Sequence, residues 1–281
     1  MHTFTNQTGV SLGSPDTLLN YSVKSWVGIA LLGQWMFALY IFSVYAMPSL
    51  LGQPDVTLSV SPATGTKKAD GFDFVIFFAH IVPAALMAMS GLLQFFPSIR
   101  KRFPKFHRYN GRLFFVLGLS GALSGLYLTW GAGLRLSDIG AIGITLNGIL
   151  IPIAIYFAWR TAVNKQFSLH QRFAVHSFLL VNGVWTFRLY LMAWFILNQG
   201  ANGNTRTLDG PADIAISFAC YLLPMAIAEL VFWAKRTPSN IVKRVVTGIT
   251  ASGALLTLIG IGAAGMMMWY PRVVKVFEGV F

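Results

Sequence analysis

Seven stretches of about 20 apolar residues follow one another along this chain, each long enough to cross ~30 Å of hydrocarbon at ~1.5 Å of helical rise per residue. They cover 26–47, 74–96, 113–130, 139–159, 174–197, 214–234 and 245–270. Only 11% of the 281 residues are charged, against ~25% in a soluble domain. Together these properties exclude a soluble globular domain, a disordered chain and a secreted disulfide scaffold. The expected fold is all-α: a polytopic integral membrane protein with seven transmembrane helices in one bundle, a single domain over 1–281. The lipid bilayer is its first partner.

In a soluble protein a net charge of +12 and a pI near 10.1 point to nucleic acid. Here the basic residues sit in short loops between apolar spans, where they orient the chain, so no nucleic-acid partner is expected. Fourteen Lys and Arg fall on one side of the predicted spans and six on the other, with Arg188 inside a span. The positive-inside rule then puts the amino terminus inside and the carboxy terminus outside a bacterial inner (cytoplasmic) membrane. The first twenty residues lack the basic start, apolar core and small-residue cleavage site of a secretory signal, so the first hydrophobic segment is expected to stay as an anchor. The single cysteine, Cys220, lies in an apolar span and forms no intramolecular disulfide. The longest connection, 48–73, is rich in Ser, Thr, Gly and Pro and reads as a surface excursion on the outside. Gly121-x-x-x-Gly125 and the glycines of the last span read as close helix packing, or as room for a flat cofactor.

Ionisable groups in hydrocarbon cost several kcal/mol unless they face protein or water, so the few present carry most of the functional information. Within spans they are His80, Arg188 and Glu229; at the basic edge stand His107, His170 and His176. His80 lies ~9 Å below the outer surface by its place in span two, and Arg188 sits at comparable depth in span five. With Asn147 of span four they form a candidate ligand pocket in the outer half. The alternative is a His and an Arg each bonded to backbone carbonyls or water. Glu229 lies within about two turns of Lys235 and Arg236 and is expected to pair with them as a structural group, a proton relay being the alternative.

The basic edge is denser in such groups. His107-Arg108-Tyr109-Asn110-Gly111-Arg112 opens span three, and His170-Gln171-Arg172-Phe173-Ala174-Val175-His176 opens span five. A zinc site is excluded by the lack of Cys and carboxylates in these loops, and no G-x-S-x-G nucleophile motif occurs. A b-type heme needs a His from each of two helices and basic groups for its propionates. His107 and His176 meet that requirement as iron ligands, with Arg108, Arg112 and Arg172 beside them and His170 as the alternative second ligand. His170 and His176 stand ~240° apart on a helix wheel and cannot ligate one metal together. Gly183, two turns beyond His176 at about i+7, leaves room for a ring against the helix. A quinone in the same layer is the other reading, with a histidine hydrogen-bonding its carbonyl and titrating near neutral pH. Read without the histidines, the Lys and Arg are membrane anchors.

The motif His107-Arg108-x-x-Gly111-Arg112, with His80 on the preceding span and His170 and Arg188 beyond, resembles the bacterial membrane-protein family called domain of unknown function 2306, over about 74–197. That resemblance implies the fold and no activity. The order of an outer-half His and then an inner-edge His also looks like cytochrome b561, where paired histidines on alternate helices hold a heme near each face and ascorbate or quinol electrons cross the membrane. Carried over, His107 and His176 match the inner pair and His80 one outer ligand. Span four offers Asn147 but no second outer His, so the resemblance implies at most one bis-histidine heme. The expected function is an inner-membrane redox protein that binds one heme b or a quinone and meets a redox partner. The other readings are a transporter or small-ligand sensor working through His80, Arg188 and Asn147, and a packing subunit of a larger membrane complex.

Overall fold

A computed structural model describes residues 13–53, 56–57 and 72–280, and every regular element among them is helical. The helices are α1 (Pro15–Leu50), α2 (Phe72–Ser90, tightening into a 3-10 turn over Gly91–Phe95) and the short α3 (Pro97–Arg102). Then come α4 (Pro104–Leu126), α5 (Asp138–Val163), α6 (Phe167–Val181), α7 (Gly183–Leu197), α8 (Pro211–Ala234), α9 (Asn240–Ala264) and α10 (Tyr270–Val280). Six helices are long and apolar enough to cross a membrane, and α6 with α7 adds a seventh span bent by 58°. Each predicted span falls within one of these, span 74–96 overrunning its helix by one residue. Most of the 48–73 connection lies outside the described residues, as do His2, Lys67 and Lys68.

The helices outrun the apolar stretches because their caps lie in polar sequence. Ser14 accepts from the Thr17 amide ahead of Pro15, and Ser137 accepts from the Gly140 amide at 3.0 Å. Pro104 likewise starts α4 nine residues before the apolar run, which sets His107, Arg108 and Arg112 on a helix and not in a loop. One end of the bundle therefore carries Arg100 to Arg112, His170, Lys235 and Arg244. We refer to it as the basic end and to the opposite one as the far end.

The small residues serve packing. α9 lies along α1 and α7, where a Cβ on Gly260 would stand 2.7 Å from the Leu189 carbonyl and one on Gly253 would strike the Trp26 ring. Polar ties cross the same seam, Ser22 to Thr250 at 2.7 Å and Trp26 Nε1 to Thr257 at 2.8 Å. Lys243 donates to Asp16 at 2.7 Å and fixes the two helix starts together. Toward the far end, α1, α4 and α9 each widen into a π turn, at Phe42–Ala46, Tyr127–Gly131 and Gly265–Trp269.

The fifth span breaks at Asn182. Its side chain donates to the Phe178 carbonyl at 2.8 Å and accepts from Gln34 Nε2 at 2.5 Å, so an amide from α1 stands at the bend. The space beside Gly183 is filled by the Asn147 amide, which a Cβ there would strike. The expected room for a ring at Gly183 is therefore absent, because α5 packs into it.

Candidate functional site

At the basic end a cavity of about 890 Å³ lies among the end of α2, α3, α4, α5 and α6. Its walls include Phe95, Phe114, Phe115, Trp159 and Phe178, and the exposed Arg100, Arg108 and Arg112 stand at its edge. Among the described residues no carboxylate lines it. Gly91 admits the Phe114 ring to the wall, since a Cβ there would come within 2.9 Å of it. The Arg112 guanidinium lies 5.8 Å from the Trp159 ring centroid, held against the aromatic face.

His107 and His170 both line this cavity, each half-buried. His170 Nδ1 lies 2.9 Å from the Ala158 carbonyl. A carbonyl only accepts, so Nδ1 is the donor, and in the neutral ring Nε2 is the nitrogen whose lone pair is left for a ligand. The cavity also holds two groups with unmet bonding capacity: His107 Nδ1 and Gln94 Nε2 are buried without a hydrogen-bond partner. A buried amide N–H left unpaired costs ~1–3 kcal/mol, which an acceptor on a ligand would recover.

His176 and Arg172 lie elsewhere. They line a second cavity, about 470 Å³, whose wall also carries Glu229 of α8. His176 Nε2 is 2.5 Å from Glu229 Oε1, Arg172 Nε donates to that oxygen at 2.6 Å, and Arg172 pairs with the other carboxylate oxygen as well. His107 and His176, the pair expected to share a ligand, thus line different cavities, and His107 keeps company with His170. The cause is the helical step of ~100° per residue, which turns His176 toward α8 when His170 faces α5. Glu229 is also not paired with Lys235 and Arg236. Lys235 caps the end of α8, and Arg236 Nε donates to the Phe232 carbonyl at 3.1 Å. Burial and nearby Lys24 push the Lys235 amine below its usual range.

In the far half, the three residues of the expected ligand pocket have different hydrogen-bond partners, while Arg188 stands near enough to His80 to act on it electrostatically. His80 Nδ1 lies 3.0 Å from the Gly121 carbonyl and 3.1 Å from Ser124 Oγ, in the space left by Gly125. Arg188 donates to the Val184 carbonyl at 3.0 Å, and Asn147 abuts Gly183. Among the described residues no group of three or more His, Cys, Asp and Glu stands ready to hold a metal ion.

Fold and site together define a polytopic helical membrane protein with a basic, aromatic cavity at one end. Residues 77–232, more than half of the chain, match the family described as Predicted membrane protein (DUF2306), and the chain belongs to that family. The matched region runs through α8 and takes in Glu229. No curated protein and no solved structure matches. Gln94, Arg100 and Trp159 are cavity residues that the motifs do not single out. Gln94 falls on the His80 face of span two by helical spacing, which is the one signal that points to it.

Proposed function

We propose that the basic-end cavity binds one heme b and that the protein is a membrane redox protein exchanging electrons at that face. His170 carries the proposal. Its Nδ1–H is engaged by a backbone carbonyl, which leaves Nε2 as the free nitrogen of a residue lining an aromatic cavity. An iron-ligating imidazole is held in this way, its second nitrogen oriented by a carbonyl or carboxylate. His107 would be the other histidine to hold the iron, with His170 taking the place expected for His176. Arg100, Arg108 and Arg112 match two propionates, and a lining without carboxylates suits an anionic ligand. A bound heme supplies one-electron chemistry; the chain orients the ring, shields it with aromatic walls and neutralises its carboxylates. By the positive-inside rule the basic end faces the cytoplasm, in a bacterial inner membrane.

A specific observation favours a quinone as the second reading. Gln94 Nε2 is a buried donor in search of an acceptor, and with His107 Nδ1 it suits a quinone carbonyl. The absorption spectrum of detergent-purified protein, with and without dithionite, separates the two. A sharp reduced α-band that disappears in His170→Ala supports heme. A colourless protein whose solvent extract contains quinone supports the second reading, and a protein with neither rejects the redox function.

A further inference from the structure

Among the described residues, neither Arg188 nor Arg272, in the far half of the bundle, pairs with a carboxylate. Among the described residues, the ion-paired carboxylates are Asp16, Asp138 and Glu229, and their partners are Lys243, Arg135, Arg172 and His176. Arg188 on α7 donates to the Val184 carbonyl of its own helix at 3.0 Å, and its guanidinium carbon lies 5.9 Å from the Phe37 ring centroid. Arg272 on α10 reaches into the same place, donating to the Tyr40 hydroxyl at 3.1 Å. Both arginines are half-buried. A guanidinium keeps its charge, so in a membrane it needs an anion, water or an array of acceptors.

What surrounds these two arginines is rich in donors. Phe37 lies 6.0 Å from Tyr40 and 5.8 Å from Trp269, and Tyr40 lies 6.1 Å from Trp269, so the rings form one cluster between the guanidiniums. Trp269 and Trp185, in that same core cluster, are 3% and 8% exposed, and neither indole Nε1 has an acceptor. Burying two indole N–H groups without acceptors is as anomalous as leaving two guanidiniums without anions, and one occupant answers both. The chain is also locally reshaped here. The π turn Phe42–Ala46 follows directly on the stretch that carries Tyr40, and the π turn Gly265–Trp269 ends on Trp269 itself. Single π turns are uncommon and recur at functional sites.

We propose that Arg188, Arg272, Tyr40 and the indole N–H groups of Trp185 and Trp269 form a site for a phosphate-type oxoanion in the far half. Two forked cations, with further donors around them, suit a tetrahedral anion with several acceptor oxygens better than a planar carboxylate. The anion is supplied either by free phosphate or by a phospholipid headgroup in the adjoining leaflet. The site is independent of the heme reading, since none of its residues lines the basic-end cavity.

Two measurements on the detergent-purified full chain test it. In the first, inorganic phosphate is titrated against chloride at equal ionic strength, and tryptophan fluorescence and the thermal midpoint are read. In the second, the protein is placed in nanodiscs of phosphatidylglycerol and phosphatidylcholine, and retained lipid is counted by native mass spectrometry. A saturable response to phosphate assigns the site to a solute, selective retention of phosphatidylglycerol assigns it to a headgroup, and either supports the proposal. Arg272→Gln and Arg188→Gln are each expected to weaken the response at least tenfold, with Arg272→Lys and Tyr40→Phe in between. Tyr40→Phe keeps the ring cluster and reads the site even if Arg188→Gln fails to fold. The proposal is overturned if neither arm responds beyond its control, or if folded arginine variants bind as the parent does. The heme spectrum of Arg272→Gln should be that of the parent, so failure here and failure of the heme reading are separately visible.

Discussion

The two sides of α6 present the same residue types and end in different states. Toward α8, His176 and Arg172 meet the carboxylate of Glu229 and are drawn into a three-residue clamp. Toward α2, α4 and α5, His170 and His107 meet arginines and aromatic rings but, among the described residues, no carboxylate, and buried polar atoms of His107 and Gln94 stay unpaired. The difference is one acidic side chain. Where it is present, the His and Arg groups spend their bonding capacity on holding two helices together; where it is missing, that capacity is left for something else. This is why the site is assigned to the α5-facing side.

The strongest way to break this comparison is to remove the histidines one at a time. His170→Ala and His107→Ala should abolish any absorbing cofactor in the purified protein, while His176→Ala keeps the spectrum. The reverse pattern would move the site to the Glu229 side. A milder change supplies the missing acid. Gln94→Glu puts a carboxylate among Arg100, Arg108 and Arg112, and cofactor retention is expected to fall about tenfold as an internal ion pair competes with the ligand. On the other side, Glu229→Ala strands Arg172 and His176. Because the carboxylate is 31% exposed, the loss is put at about 1–2 kcal/mol, below the range for a fully buried pair. The thermal midpoint should drop with the spectrum unchanged; an equal drop in cofactor content would show the two sides to be coupled.

The smallest effect concerns a carboxylate held chiefly by hydroxyls. Thr205 and Thr207 donate to Asp209 at 2.5 and 2.9 Å and hold it below its ordinary value of 3.8. A lowered pKa means that the folded loop binds its proton less readily than the unfolded one. The contribution is therefore complete above 3.8 and fades as pH falls through the lower folded value. Amide exchange in the 205–210 loop should accelerate in that acid range in the parent and show no such step in Asp209→Asn.

The spans were legible because hydropathy and length alone decide them, and the opposite facing of His170 and His176 followed from helical pitch. Other features depended on contacts that sequence spacing does not encode. Glu229 has partners 53 and 57 residues away, whereas the sequence offered Lys235 and Arg236 close by. Pitch and adjacency could not say that α8 turns this carboxylate toward α6. The break at Asn182 did have a signal, since Asn-Gly is a turn dipeptide. It was concealed within an otherwise apolar run, while Pro83, Pro152 and Pro224, a residue type that breaks helices in soluble proteins, sit inside continuous helices.

That break also changes how the chain measures the membrane. α6 and α7 have 15 residues each, so each is about 22 Å long. A rigid span such as α5 can adapt to a thinner or thicker bilayer only by leaning as a whole. A span jointed at Asn182 instead crosses along two axes set 58° apart, with α7 seated against Gly260 of α9 and α6 tied to α5 by His170 and to α8 by Arg172 and His176. The angle between those two axes, and not the tilt of a single rod, therefore sets how His170 at the basic end stands relative to the far half of its own span.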